Sequence, residues 1–196
     1  MIRKFFFLTV LIVSLHTTTQ AQEIMHSFGG TISALFGKVE TDYSSYSFAM
    51  RQTSLCYFPR LNFIENENSS VSIGFPLAAG IGIAANSDAS DAGLYFAYDL
   101  PAVLDYNMGA KSTSDNENSF GGYFGVGFGY YKLSISKSTY SNFNGATYGP
   151  MIRGGVRISS SSDSWNGHGI TIGLFYKKGI EKQKLNTAGF NILYDL

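Results

Sequence analysis

Phe120-Gly121-Gly122-Tyr123-Phe124-Gly125-Val126-Gly127-Phe128-Gly129-Tyr130 reads with a period of two. Phe120, Phe124, Val126, Phe128 and Tyr130 fall on one face, and Gly121, Tyr123, Gly125, Gly127 and Gly129 on the other. Side chains of a strand alternate between two faces, whereas those of a helix repeat about every 3.6 residues. Each Gly opposes a helix interior by about 1 kcal/mol. The stretch is therefore a strand with one bulky apolar face. Its other face is almost without side chains, as if something packs closely against it.

The same period extends in both directions along the chain. Val71, Ile73, Phe75, Leu77, Ile81 and Ile83 alternate with Ser72, Gly74, Pro76, Ala78, Gly80 and Gly82. Phe28, Ile32, Ala34 and Phe36 alternate with Ser27, Gly29, Thr31 and Ser33. Leu94, Phe96, Tyr98, Leu100, Leu104, Tyr106 and Met108 share a face opposite Tyr95, Asp99, Asp105 and Asn107. Further strands are read at 148–158, 170–176 and 187–196. In the stretch 46–58 the pattern falters. Tyr46, Phe48 and Met50 are in phase, but Gln52 and Ser54 continue that face, which predicts a bulge. The reading gives eight strands, parted by polar segments near 38–45, 59–69, 86–92, 110–119, 134–147, 159–167 and 179–184. Glu65-Asn66-Glu67-Asn68-Ser69 and Asp115-Asn116-Glu117-Asn118-Ser119 nearly repeat, at one end of successive hairpins. Shared turn composition accounts for them more simply than an internal duplication.

Composition narrows the class. Only 14% of the residues are charged, against about 25% in an ordinary soluble domain. This argues against a coiled coil, a charged disordered chain and a basic nucleic-acid binder. One Cys leaves no disulfide framework within the chain. Residues 1–21 read as a secretory signal peptide: Arg3 and Lys4, an apolar stretch from Phe5 to Leu15, then Thr19-Gln20-Ala21. The apolar run falls short of the roughly 20 residues of a spanning helix. Removing Arg3 and Lys4 from 14 basic residues, against 14 acidic ones, leaves the mature domain, 22–196, at −2.

Eight alternating strands suit two barrels. A soluble ligand-binding barrel turns its apolar face inward, and a membrane barrel turns it outward. The bulk of the apolar face decides for the membrane, because an eight-stranded interior is only just wide enough for its own side chains. The opposite face mixes Gly, Ala and Ser with a few large polar groups, which suits a narrow lumen. Tyr and Phe gather near strand ends, as interfacial girdles require. In hydrocarbon an unpaired backbone group costs several kcal/mol, so the sheet must close. The expected fold is all-β, an eight-stranded antiparallel up-and-down transmembrane β-barrel.

On these residues the chain resembles the small eight-stranded outer-membrane barrels of Gram-negative bacteria, among them the OmpX and OmpW families and the transmembrane domain of OmpA. Thr187-x-Gly189-x-x-Ile192-x-Tyr194 looks like the terminal signal read by barrel-assembly machinery. Tyr57-Phe58-Pro59-Arg60, Ser72-Ile73-Gly74-Phe75-Pro76-Leu77 and Asp105-Tyr106-Asn107-Met108-Gly109 look like outer-membrane barrel proteins of Bacteroidetes type. The chain departs from the pattern in ending on Leu196, not an aromatic residue. It also departs in the length of the presumed periplasmic turns at 59–69 and 110–119. The resemblance implies a monomer in the bacterial outer membrane, partnered by lipid and, during biogenesis, by the assembly machinery. It implies no cofactor, no nucleic acid and no enzymatic activity. Its role would be structural or in surface interaction. The alternatives are a narrow channel or lateral-diffusion path for small apolar solutes, and a secreted soluble ligand-binding barrel.

Arg51, Asp99, Asp105, Arg153, Arg157 and Lys177 are expected to project into the lumen. They could line a pore, or form a packed network that plugs it. Buried charges persist only when paired, which favours the plug. His26 and His168 are placed near the periplasmic rim, away from where a lipid-modifying site would need them. Asp88, Ser90 and Asp91 lack the spacing of a calcium loop and read as a turn. Gly125-x-Gly127-x-Gly129 has no helix after it and reads as strand. Cys56 reads as an inert buried thiol, and Trp165 as an interfacial anchor.

Overall fold

The structure is a computed structural model and describes residues 24–41, 44–85, 92–135, 146–159, 168–181 and 185–196. The signal peptide, the Asp88/Ser90/Asp91 turn and Trp165 lie outside the described residues.

Among the described residues nine strands run in chain order: β1 (Ile24–Thr41), β2 (Ser44–Asn66), β3 (Ser69–Gly74), β4 (Leu77–Ala85), β5 (Ala92–Gly109), β6 (Phe120–Ile135), β7 (Ala146–Ser159), β8 (Gly169–Lys177) and β9 (Asn186–Asp195). Every pairing is antiparallel, and β1 pairs with both β2 and β9, so the sheet closes on itself. β3 and β4 both lie between β2 and β5. They are two halves of one wall position, interrupted at Phe75-Pro76, and the ring has eight positions. Proline cannot donate to a ladder. Phe75 N–H still bonds Pro59 O at 3.0 Å and Leu77 N–H bonds Phe75 O at 2.8 Å, which carries the chain across the gap.

Closure settles the two faces. Outward side chains include Phe28, Ile32, Leu55, Ile81, Phe96, Phe124, Ile152, Leu174 and Ile192, all exposed. Arg60, Asp105, Asn107, Arg153, Arg157, Thr171 and Lys177 are buried inside. This polarity is that of a wall facing hydrocarbon, with polar groups confined to the lumen. Aromatic contacts mark both margins. At the terminus end, the end that holds Ile24 and Leu196, His26 and Phe28 stack on Tyr57 and His168 stacks on Tyr194. Toward the other end, Phe36 meets Tyr176 and Phe128 meets Tyr148.

Three expectations are corrected. First, β2 has no bulge within 46–58: its register with β1 is continuous from Ile24↔Leu61 to Thr41↔Ser44. The register shift lies further on, between Asn62 and Ile64 against β3. Second, Arg51 does not enter the lumen; it is exposed on the outer face, opposite Ala34 and Ile83. Met50, Gln52, Ser54, Cys56 and Phe58 take the inner line, because Met50 and Phe58 pack in apolar clusters inside the barrel. The arginine sits toward the margin of the apolar belt, where a long basic side chain reaches polar surroundings. Third, 59–69 is not a long turn. β2 continues to Asn66, and Glu67-Asn68 alone turn the chain into β3.

Candidate functional site: the barrel interior

The lumen is filled in layers. Along β2 the inward order is Met50, Gln52, Ser54, Cys56, Phe58, Arg60, Asn62; along β5 it is Tyr95, Ala97, Asp99, then Val103, Asp105, Asn107. Farthest from the termini, Leu35, Met50, Tyr95, Ala97, Tyr131, Leu133 and Leu185 form one apolar cluster.

Beneath it lies a polar layer. Lys177 Nζ donates to Asp99 Oδ1 at 2.6 Å and lies 5.1 Å from the Tyr131 ring centre. Tyr131 OH donates to Gln52 Oε1 at 2.5 Å, and Gln52 Nε2 to Ser54 Oγ at 2.5 Å. Gly129 leaves the volume that the Lys177 stem crosses; a Cβ there would press on Lys177 Cδ. Cys56, Phe58, Val103, Met151 and Leu193 make a second apolar layer.

The terminus-end chamber holds most of the charge. Arg153 Nε stands 3.7 Å from Asp105 Oδ1, an electrostatic contact without a hydrogen bond. Its guanidinium lies 4.4 Å from the Phe58 ring centre and 4.7 Å from that of Tyr123; Arg157 lies over the same tyrosine at 4.7 Å. Such contacts gain strength away from water. Arg157 Nη1 and Arg60 Nη1 both donate to Asn107 Oδ1, at 2.8 and 3.2 Å. Asn107 Nδ2 in turn donates to Ser72 Oγ at 2.9 Å and Ser70 Oγ at 3.1 Å. Asp195 accepts from Ser27 Oγ at 2.5 Å and Thr171 Oγ1 at 2.6 Å, tying β9 to both neighbouring strands.

The segment after β5 covers this chamber. Ala110, Lys111, Ser112 and Thr113 are buried, because the turn folds inward over the lumen. Gly109 and Lys111 take positive φ, 67° and 55°, which reverses the chain within a few residues. The side chains below hold it by its carbonyls: Arg60 Nη2 donates to Lys111 O, Asn62 Nδ2 to Ser112 O at 2.9 Å and Ser70 Oγ to Ser112 O at 2.5 Å. The two similar turns meet at the rim, where Asn116 Nδ2 donates to Glu67 O at 2.8 Å and Asn118 Nδ2 to Asn68 Oδ1 at 2.8 Å.

Of the residues expected in the lumen, Asp99 and Lys177 are brought together in one layer. Asp105, Arg153 and Arg157 share the terminus-end chamber. Arg51 is absent from both. Sequence reasoning missed Arg60, Asn62 and the buried turn. Arg60 carries the detectable signal, because it continues the Gln52–Ser54–Cys56–Phe58 alternation. In the terminal motif, Thr187 points inward and Ile192 and Tyr194 outward. His26 Nδ1 pairs with Tyr57 OH at 2.8 Å. Cys56 is a buried free thiol. Among the described residues no three His, Cys, Asp or Glu side chains come together as a metal site.

On the outer wall, an apolar groove of about 410 Å³ runs between Leu55, Tyr57, Leu77 and Leu100, with Cys56 and Ala78 also bordering it. It adjoins the Phe75-Pro76 interruption. The register that pairs Gly74 with Val103 and Ala78 with Asp99 sets Pro76 opposite Pro101.

No protein-family model and no curated protein matches the chain. Solved structures do. Ail, the attachment invasion locus protein of Yersinia pestis, superimposes with a TM-score of 0.51 at 14% identity, covering 90% of this chain and 98% of that one. The outer membrane protein OprG from Pseudomonas aeruginosa gives 0.51 at 9% identity, covering 89% and 93%. The fold is that of the small outer-membrane β-barrels.

Proposed function

We propose that the chain is an integral protein of the bacterial outer membrane, exported by residues 1–21, with a structural or surface-interaction role and no enzymatic activity. The observation that carries this reading is a lumen filled layer by layer and covered at the terminus end by the inward-folded turn. A barrel so packed offers its wall to lipid and its far-end loops to partners, and little continuous passage between. It acts as a monomer, since closure of the ring leaves no sheet edge to pair with another copy. Assembly machinery reads the last strand, through Thr187, Gly189, Ile192 and Tyr194. The test is fractionation combined with gel migration. The protein should partition with outer membranes, and heating should change its mobility on a mildly denaturing gel. Recovery as a heat-indifferent periplasmic protein rejects the reading.

The wall interruption favours a second reading, a lateral path for small apolar solutes. Where Pro76 faces Pro101, neither residue can donate to the ladder, and the apolar groove lies alongside. Proteoliposomes should then take up a small apolar solute faster than empty liposomes, and Pro76→Val should slow that uptake. Equal uptake with and without the protein removes this reading.

A further inference from the structure

Asn107 is the point on which two cations converge. Its side-chain oxygen accepts from Arg157 and Arg60 together. Planar guanidinium forks match anionic oxygens, and two cations so close repel unless negative charge lies between them. Here the shared oxygen belongs to a neutral amide. Arg153 brings a third cation, and Arg60, Arg153 and Arg157 are each no more than 3% exposed. The described carboxylates of the chamber are Asp105 and Asp195. Asp195 is engaged by two hydroxyls, and Asp105 makes no hydrogen bond with its side-chain oxygens. Arg60 Nε, Arg157 Nε and both Arg153 Nη atoms are buried donors without a hydrogen-bond partner. Burying an ion without a partner costs several kcal/mol, so the described chamber is short of negative charge.

The geometry points to a bound small oxyanion, of phosphate or sulfate type, held by Arg60, Arg153 and Arg157 beneath the inward-folded 110–119 turn. The turn covers the chamber, so the anion is taken up as the barrel folds or when the turn lifts. It acts as a structural counter-ion that lets three arginines share one end of a narrow lumen.

The experiment folds the full mature chain into micelles of a phosphate-free maltoside detergent. Phosphate, sulfate and chloride are compared at matched ionic strength. The readouts are anion retained after gel filtration and the temperature at which the barrel loses its folded gel mobility. The wild type should retain about one phosphate or sulfate per chain and melt higher in either than in chloride. Retention of phosphate only when phosphatidylglycerol is supplied assigns the same site to a lipid headgroup. Asn107→Asp places a carboxylate between Arg60 and Arg157, and the Ser72 hydroxyl can turn to donate to it. This variant should retain no oxyanion and melt alike in all three salts. Arg157→Gln should lower retention by roughly tenfold, equivalent to about 1.4 kcal/mol. No retained anion and equal melting of the wild type in all salts overturns the site. So does undiminished retention in Asn107→Asp. The wild-type salt comparison stands even if a variant fails to fold.

Discussion

Lys177 sits at 1% exposure, with its ammonium on Asp99 and its stem crossing the space left by Gly129. A buried pair gives little net stability, but breaking it is costly because the survivor stays charged and dry. Lys177→Met should therefore destabilise the barrel by about 3–5 kcal/mol in a urea titration. Adding Asp99→Leu should recover most of that loss, since an apolar pair of similar volume replaces the ions. Full additivity of the two losses would refute the coupling. The close approach at Gly173 is as demanding. A Cβ there would strike Tyr123 OH and crowd Asn191 Oδ1. Gly173→Val should cost about 1–3 kcal/mol of stability, the usual cost of overpacking, and so lower the urea midpoint. At this scale the inward phase of Asp99, Asp105, Arg153, Arg157 and Lys177 was legible in the sequence. Each stands in a strand whose apolar face is unmistakable. Arg51 was not legible, because Met50 is apolar and inward and so inverts the local pattern. Which oxygen each arginine meets depends on neighbours far along the chain, such as Asn107, and no spacing shows it.

Among the elements, β2 departs most from a simple amphipathic strand. Its outer line carries Arg51 and Thr53 beside Leu55, which is 80% exposed. Leu55→Arg puts a second cation on the lipid-facing wall, between Arg51 and the Tyr57 margin, and should cost up to about 2–4 kcal/mol, the range for an arginine at the midplane. The same change at Ala49, beyond Arg51, should cost much less; equal costs measured by urea titration would contradict this placement of the belt. The inward turn after β5 is the other unusual element. Replacing 110–118 by a two-residue Asn-Gly turn removes the carbonyls that Arg60, Asn62 and Ser70 hold. A lost hydrogen bond to a charged group costs about 1.5–3 kcal/mol. The shortened protein should convert to its unfolded gel mobility at lower temperature. Unchanged heat stability would show that the turn only rests on the lumen. The sequence marks 110–119 as polar, and polarity alone cannot separate a turn in water from one folded over a chamber. The sequence likewise reads 59–69 as a turn. Its Asn and Glu residues obscure a strand whose inner positions, Arg60 and Asn62, face a polar lumen.

For the whole molecule, alternation was enough to specify a closed antiparallel ring with its apolar side outward. A lumen of polar and apolar layers was less legible, since Phe58, Met151 and Leu193 resemble wall residues until their phase is known. The covered lumen predicts that protein in a planar bilayer shows no steady ion conductance; a stable open level would argue for a continuous aqueous path. Closure has a further consequence, for the order of events in biogenesis. The hydrogen bond between Ser27 and Asp195 joins positions 168 apart, and β1 pairs with β9 over Ser27–Phe36. Contacts of such sequence separation form late and slowly, after most of the chain's entropy has been surrendered. Until the last ten residues arrive, the sheet has two raw edges and a greasy outer face, the form most liable to aggregate in water. On the proposed export route, a copy truncated before Asn186 lacks the closing strand and should be degraded faster than the full chain in a pulse-chase experiment; equal lifetimes would contradict this.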